Sequence, residues 1–179
     1  MLLAYTRVGQ PENAEKLLKE IREEHSMEPD VVCVTTVIDG YYKQGNISKC
    51  WELYEECRHR SKPGLELDEQ LLSYMIKVCS RTKEAEKGIR LFNELEIDGF
   101  VEYSKPFNSI MMACASRKEY APKAIEYWHL MHMKNIEPDN VTYVAVLKAC
   151  AMIGDIQTAF DVLQELKLKG GIMNENVFN

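Results

Sequence analysis

His129 and His132 stand three residues apart, a spacing that sets two imidazoles on one face of a helix, where they could share a metal ion. No second ligand pair at a matching spacing accompanies them, so the sequence assigns both to a structural or surface role. The carboxylates of Glu20–Glu24 read as a solvated helix face. There is no glycine-rich phosphate loop, no G-x-S-x-G turn and no pair of carboxylates in a convergent context. The chain is therefore read as a non-enzyme, with no cofactor, no metal and no small-molecule substrate expected.

The remaining reactive side chains are six cysteines, and they contain no C-x-x-C pair. Cys79, Cys114 and Cys150 fall 35 and 36 residues apart. Each lies in a similar apolar run: Leu71–Ser80 (LLSYMIKVCS), Phe107–Ser116 (FNSIMMACAS) and Thr142–Ala151 (TYVAVLKACA). One small residue recurring at one place in a repeated segment reads as a buried, reduced thiol where helices pack. A period in this range marks a stacked repeat array, in which binding occurs along a surface and seldom in a pocket.

Turn signals place repeat boundaries after Asp30, Asp68, Tyr103, Asp139 and Asn174. Residues 1–30 form a partial repeat, 31–68, 69–103, 104–139 and 140–174 whole ones, and 175–179 the start of another. The array is expected to continue past both ends, because Met1–Val8 reads as the last turns of a helix and Glu175–Asn179 restarts the pattern of Asn140–Tyr143. Each repeat carries two apolar-periodic segments separated by a glycine or polar break, so each predicts a helical hairpin. In the repeat from Val31 the first helix should run to about Lys43, Gly45 and Asn46 should turn the chain, and Ser48 should cap the second helix. In the last repeat Ala159, Phe160, Leu163 and Leu166 predict a buried stripe. Ala14, Cys50, Gly88, Ala124 and Ala159 are the small residues expected where paired helices approach closely. Second helices should end at Gly99, Asn135 and Gly170, which tolerate a left-handed backbone.

A hydrophobic content of 46% and a charged content of 28% suit a folded chain, and no apolar run reaches the ~18 residues of a membrane span. The net charge of −6 argues by itself against a nucleic-acid partner. Its distribution argues otherwise. The first-helix segments (1–8, 31–43, 69–81, 104–117 and 140–152) carry Arg7, Lys43, Lys77, Arg81, Lys105, Arg117 and Lys148 against only Asp39 and Glu69. If first helices line the inner face, an acidic protein still offers a mildly basic inner surface.

Several segments resemble the pentatricopeptide repeat family, whose unit is a helix–turn–helix of about 35 residues. They are Asn140–Lys148 (NVTYVAVLK) leading to Gly154–Leu166 (GDIQTAFDVLQEL), Asn135–Asp139 (NIEPD), Met27–Asp30 (MEPD) and Val37–Gly45 (VIDGYYKQG). The resemblance implies an all-α, right-handed α-solenoid of about five repeats, with first helices inside and second helices outside. It further implies binding of single-stranded RNA at one base per repeat. The base-selecting residues would be the fifth and last of each repeat: Thr35 with Asp68, Ser73 with Tyr103, Asn108 with Asp139, and Val144 with Asn174. By resemblance, Thr35 with Asp68 implies guanine and Asn108 with Asp139 implies uracil. The other two pairs depart from the family pattern, and valine cannot hydrogen-bond a base. In the family the second residue of a repeat wedges against a base, a role that by resemblance Val32 and Val141 fit while Gln70 and Lys105 do not. Arg7, Lys43, Arg81 and Arg117 match the family's phosphate-facing position, where the last whole repeat has Met152.

The implied function is sequence-selective RNA binding in organellar transcript processing, stability or translation, in a mitochondrion or alternatively a plastid. The competing expectation is a scaffold in a large assembly such as the mitochondrial ribosome, with ribosomal or other assembly proteins as partners. The acidic balance and the two departing pairs favour that alternative.

Overall fold

The computed structural model describes residues 1–25, 29–60, 69–97 and 103–169. Among these residues every regular element is an α-helix: α1 (Leu2–Arg7), α2 (Pro11–His25), α3 (Val31–Gln44), α4 (Ile47–Arg60), α5 (Glu69–Thr82), α6 (Ala85–Ile97), α7 (Ser104–Cys114), α8 (Ala121–Met133), α9 (Asn140–Ile153) and α10 (Ile156–Leu168). The chain divides into two compact units, Met1–Val78 and Cys79–Asn179, with the division inside α5. Asp68, Gly99, Gly170 and Asn174 fall outside the described residues, as does the segment from 175 to 179.

In the first unit, α1 and α2 both pack on α3, and α3 packs on α4. The approach of α3 is close enough to demand a missing side chain. A Cβ at Gly40 would lie 2.9 Å from both Pro11 Cβ and Thr6 Cγ2. Gly45 closes α3 in the left-handed conformation at φ +83°, which glycine adopts without steric cost. The expected cap at Ser48 is corrected: Asn46 accepts from the Lys49 N–H at 3.3 Å, and Ser48 is already inside α4. Asparagine in the turn supplies the side-chain oxygen two residues earlier. Ala14, Leu18, Val37, Ile38, Cys50 and Tyr54 form the core of this unit.

In the second unit, α6 packs on α7, α7 on α8 and α9, α8 on α9, and α9 on α10. Phe92 on α6 sits edge-on to Phe107 and Tyr127, with ring centroids 5.0 and 4.8 Å away. Cys79, Cys114 and Cys150 are all buried, and desolvation holds their thiols protonated, pushed up to about 12, about 12 and about 11. Gly88 lets α6 approach Cys79 and Ile110, since a Cβ there would meet Ile110 Cδ1 at 3.0 Å and Cys79 Cβ at 3.3 Å. Where the repeat from Glu69 lacks a turn glycine, Lys83 takes the left-handed backbone instead, at φ +60°. Asn135 does the same at φ +55° after α8, as its amide side chain permits.

Two expectations are corrected here. The first-helix segment drawn to Arg117 ends at Cys114, so Arg117 lies in the turn that follows α7. The stripe on α10 is buried only in part: Leu166 is enclosed, Ala159 and Leu163 are half-exposed, and Phe160 is 59% exposed. These last three line an apolar cleft with Leu147, Ala151 and Ile156. The helical spacing was sound, but a stripe is buried only where a neighbour covers its whole width.

Candidate nucleic-acid interface

The N-terminus of α9 is held by Asp139, whose Oδ1 accepts from the backbone N–H of Val141 at 2.8 Å and of Thr142 at 3.0 Å. In return, Thr142 Oγ1 accepts from the Asp139 N–H at 3.0 Å, completing a reciprocal capping box. The same carboxylate serves the preceding repeat. Asn108 on α7 donates from Nδ2 to Asp139 Oδ1 at 3.0 Å and Oδ2 at 2.8 Å, and Ser104 Oγ donates to Oδ2 at 3.0 Å. Thr142 Oγ1 donates to Asn108 Oδ1 at 2.6 Å. Asn108 is 7% exposed and Thr142 fully buried, so both polar side chains need these partners. Desolvation pushes the Asp139 carboxyl up, but hydrogen bonds from the Thr142 N–H, Asn108, Ser104 and the Val141 N–H outweigh it and hold the group below its ordinary value.

Asn108 and Asp139 are thus in direct contact. Thr35 is half-exposed and donates its hydroxyl to Val31 O at 2.8 Å within α3, while its proposed partner Asp68 lies outside the described residues. Val144 is half-exposed on α9, and its partner Asn174 is likewise outside them. Ser73 is half-exposed on α5, and Tyr103 stands in extended backbone before α7 without a side-chain cap. Val32 and Val141 are 54% and 52% exposed in the first turns of α3 and α9, apolar surface left open to solvent.

Among the basic residues, Arg7 ends α1 and Arg81 lies in the last turn of α5, both exposed. Lys43 is exposed but reaches Asp39 Oδ2 at 2.5 Å, a surface pair weak enough for another anion to compete. Arg117 is exposed, though off the helix that was to present it.

Ser104 and Thr142 join Asn108 and Asp139 without having been singled out in the sequence; the D-x-x-T pattern of Asp139–Thr142 is a capping-box signal that could have found the threonine. A second unexpected group lies on α3 and α5 of the first unit. Lys77 Nζ is 4.9 Å from the Tyr42 ring centroid and 4.8 Å from that of Tyr74, while the Tyr74 hydroxyl donates to Asp39. His129 and His132 pack on Trp128 with centroids 4.9 Å away, and His132 Nε2 lies 3.3 Å from Glu165. Among the described residues, no three His, Cys, Asp or Glu side chains converge as metal ligands.

Comparison with known proteins adds lineage to this geometry. The model of the pentacotripeptide-repeat region of PRORP matches residues 57–174, and the PPR repeat model matches 1–26 and 32–61. A pentatricopeptide repeat-containing protein of Arabidopsis thaliana is 25% identical over 146 residues, covering 82% of this chain and 20% of its own length. The chain spans about a fifth of the length of the curated relatives it first matches. Others among them are named as chloroplastic or mitochondrial, including a mitochondrial 15S rRNA processing factor of Schizosaccharomyces japonicus. Maize PPR10 in complex with an 18-nt psaJ RNA element superposes with a TM-score of 0.73 at 22% identity, over 96% of this chain and 24% of that one. The PPR domain of Arabidopsis thaliana PRORP1 in complex with tRNA gives 0.79 at 13% identity, over 98% and 90%. These likenesses establish an α-solenoid of helical hairpins as the fold.

Proposed function

This chain belongs to the pentatricopeptide repeat family, and from that premise we propose that it binds single-stranded RNA sequence-selectively in organellar RNA metabolism, reading one base per orthodox repeat. The observation that carries the reading is the Asn108 amide fixed on the Asp139 carboxylate beside the exposed Val141. A buried polar group held by a charged partner presents its remaining hydrogen-bonding capacity in one geometry, and an adjacent apolar side chain offers a flat contact for a base face. Asn108 with Asp139 selects uracil and Thr35 with Asp68 selects guanine. Val144 reads nothing, having no donor or acceptor. Arg7, Lys43, Arg81 and Arg117 supply phosphate contacts. The protein acts as a binder and not as an enzyme, and relatives named as mitochondrial and as chloroplastic support an organellar location, for which the mitochondrion is our choice and the plastid the alternative.

A second reading, a scaffold gripping protein or structured RNA within an assembly such as the mitochondrial ribosome, draws support from the net charge of −6 and from the likeness to a PPR domain bound to tRNA. Selection of randomised single-stranded RNA by the full-length protein at two salt concentrations separates the two. A reader enriches G and U at the spacing of Thr35 and Asn108 and loses affinity steeply as salt rises. A folded protein that enriches no sequence is a scaffold.

A further inference from the structure

We infer that Thr142, which lies in the repeat after Asn108, is a positioning residue that sets uracil apart from cytosine at the Asn108 base position. The inference rests on the proposed reading that Asn108 contacts a base. A side-chain amide is a donor and an acceptor side by side, and turning it over exchanges the two. At a fixed base position, uracil offers O4 as acceptor beside N3–H as donor, whereas cytosine offers N4–H as donor beside N3 as acceptor. One orientation of an asparagine therefore matches uracil and the other matches cytosine, so an asparagine free to flip accepts both.

Asn108 is held against flipping from both ends. The Asp139 carboxylate can only accept, so Nδ2 must face it, at 2.8 and 3.0 Å. Both bonds run to one carboxylate, which a single shared N–H satisfies, and the other N–H remains for a ligand. The opposite end is fixed by Thr142. Its hydroxyl oxygen already accepts the Asp139 backbone N–H at 3.0 Å, and its proton goes to Asn108 Oδ1 at 2.6 Å, a shorter path than the 3.3 Å to Asp139 Oδ1. Flipping would set a carbonyl against the carboxylate and push the Thr142 proton from its 2.6 Å bond onto the 3.3 Å path to Asp139 Oδ1, inside a site where Thr142 is 0% exposed.

The device is specific to this place. The third residue of the repeats from Val31, Glu69 and Ser104 is Cys33, Leu71 and Pro106, none of which carries a hydroxyl. Asp139 orients Nδ2, but only Thr142 closes the acceptor side.

The test measures binding of the full-length protein to its selected single-stranded RNA with U, C, A or G at the Asn108 position. Thr142→Val should lower the U-to-C affinity ratio by about fivefold, the worth of one hydrogen bond, while purine rejection is retained. Thr142→Ser should keep the wild-type ratio. Thr142→Cys, which places here the residue found before Val34 in a folded helix, guards against misfolding and should lower the ratio as valine does. An unchanged ratio in folded Thr142→Val or Thr142→Cys, alongside loss of base preference in Asn108→Ala, overturns the role of Thr142 and leaves the base reading intact. No change in Asn108→Ala overturns both.

Discussion

Helices α3 and α9 begin with the same Pro-Asp ending of the repeat before them, yet the two aspartates do different work. Asp30 accepts one backbone bond, from the Cys33 N–H at 2.7 Å, with the Cys33 side chain beside it, so these partners lie within the helix it caps. Asp139 takes two backbone N–H groups and also binds Asn108 and Ser104 of the preceding repeat. A capping residue therefore becomes a link between repeats when the first helix of the preceding repeat supplies an asparagine at the right height and the helix it caps supplies a threonine. The cap stabilises one helix; the shared carboxylate ties two repeats together.

Removing each carboxylate should distinguish the two aspartates most strongly. Asp139→Ala should cost about 2–3 kcal/mol, combining a lost cap with stranded partners at Asn108 and Ser104, against about 1 kcal/mol for Asp30→Ala. Urea denaturation of the full-length protein measures the difference, and equal costs would show that the Asn108 contact contributes nothing. Asn108→Ala should cost about 1 kcal/mol, because Asp139 keeps its backbone donors, and should abolish uracil preference at one base. Acid should weaken both sites next. Hydrogen bonding from Cys33 lowers the Asp30 carboxyl, and the donors around Asp139 lower that one against desolvation. A depressed folded value means that stability is present above the ordinary aspartate value of 3.8 and is lost as pH falls through the folded value. Melting temperature followed downward from pH 5 should fall less steeply in Asp139→Asn than in the wild type; an unchanged slope would remove Asp139 from the acid response. The smallest effect is the constructive one: Cys33→Thr recreates the box of Asp139 and Thr142 at Asp30, raising stability by at most about 0.5 kcal/mol.

The hairpins were legible because local chemistry writes them. Apolar spacing, the turn at Gly45 and the Pro-Asp endings all act within a few residues, and the small residues at 14, 50, 88 and 124 sit where their size implied. The links between repeats were less legible. The bond from Thr142 to Asn108 joins residues 34 apart, and nothing in the neighbourhood of either announces it. The placement of Lys77 over the rings of Tyr42 and Tyr74 likewise depends on how α3 and α5 meet. Phe160 was misread because periodicity gives the direction of a side chain and says nothing of what covers it. Arg117 was misplaced because α7 stops at Cys114 without glycine or proline to mark the end.

Whether the Asn108–Asp139 contact reads a base is decided by the affinity of the full-length protein for single-stranded RNAs that differ at one nucleotide, with and without Asn108→Ala. Uracil should bind tighter than the other three bases at that position, and the variant should lose the preference with general affinity largely kept. A preference that survives Asn108→Ala, or equal binding of all four bases by the wild type, would contradict the base reading.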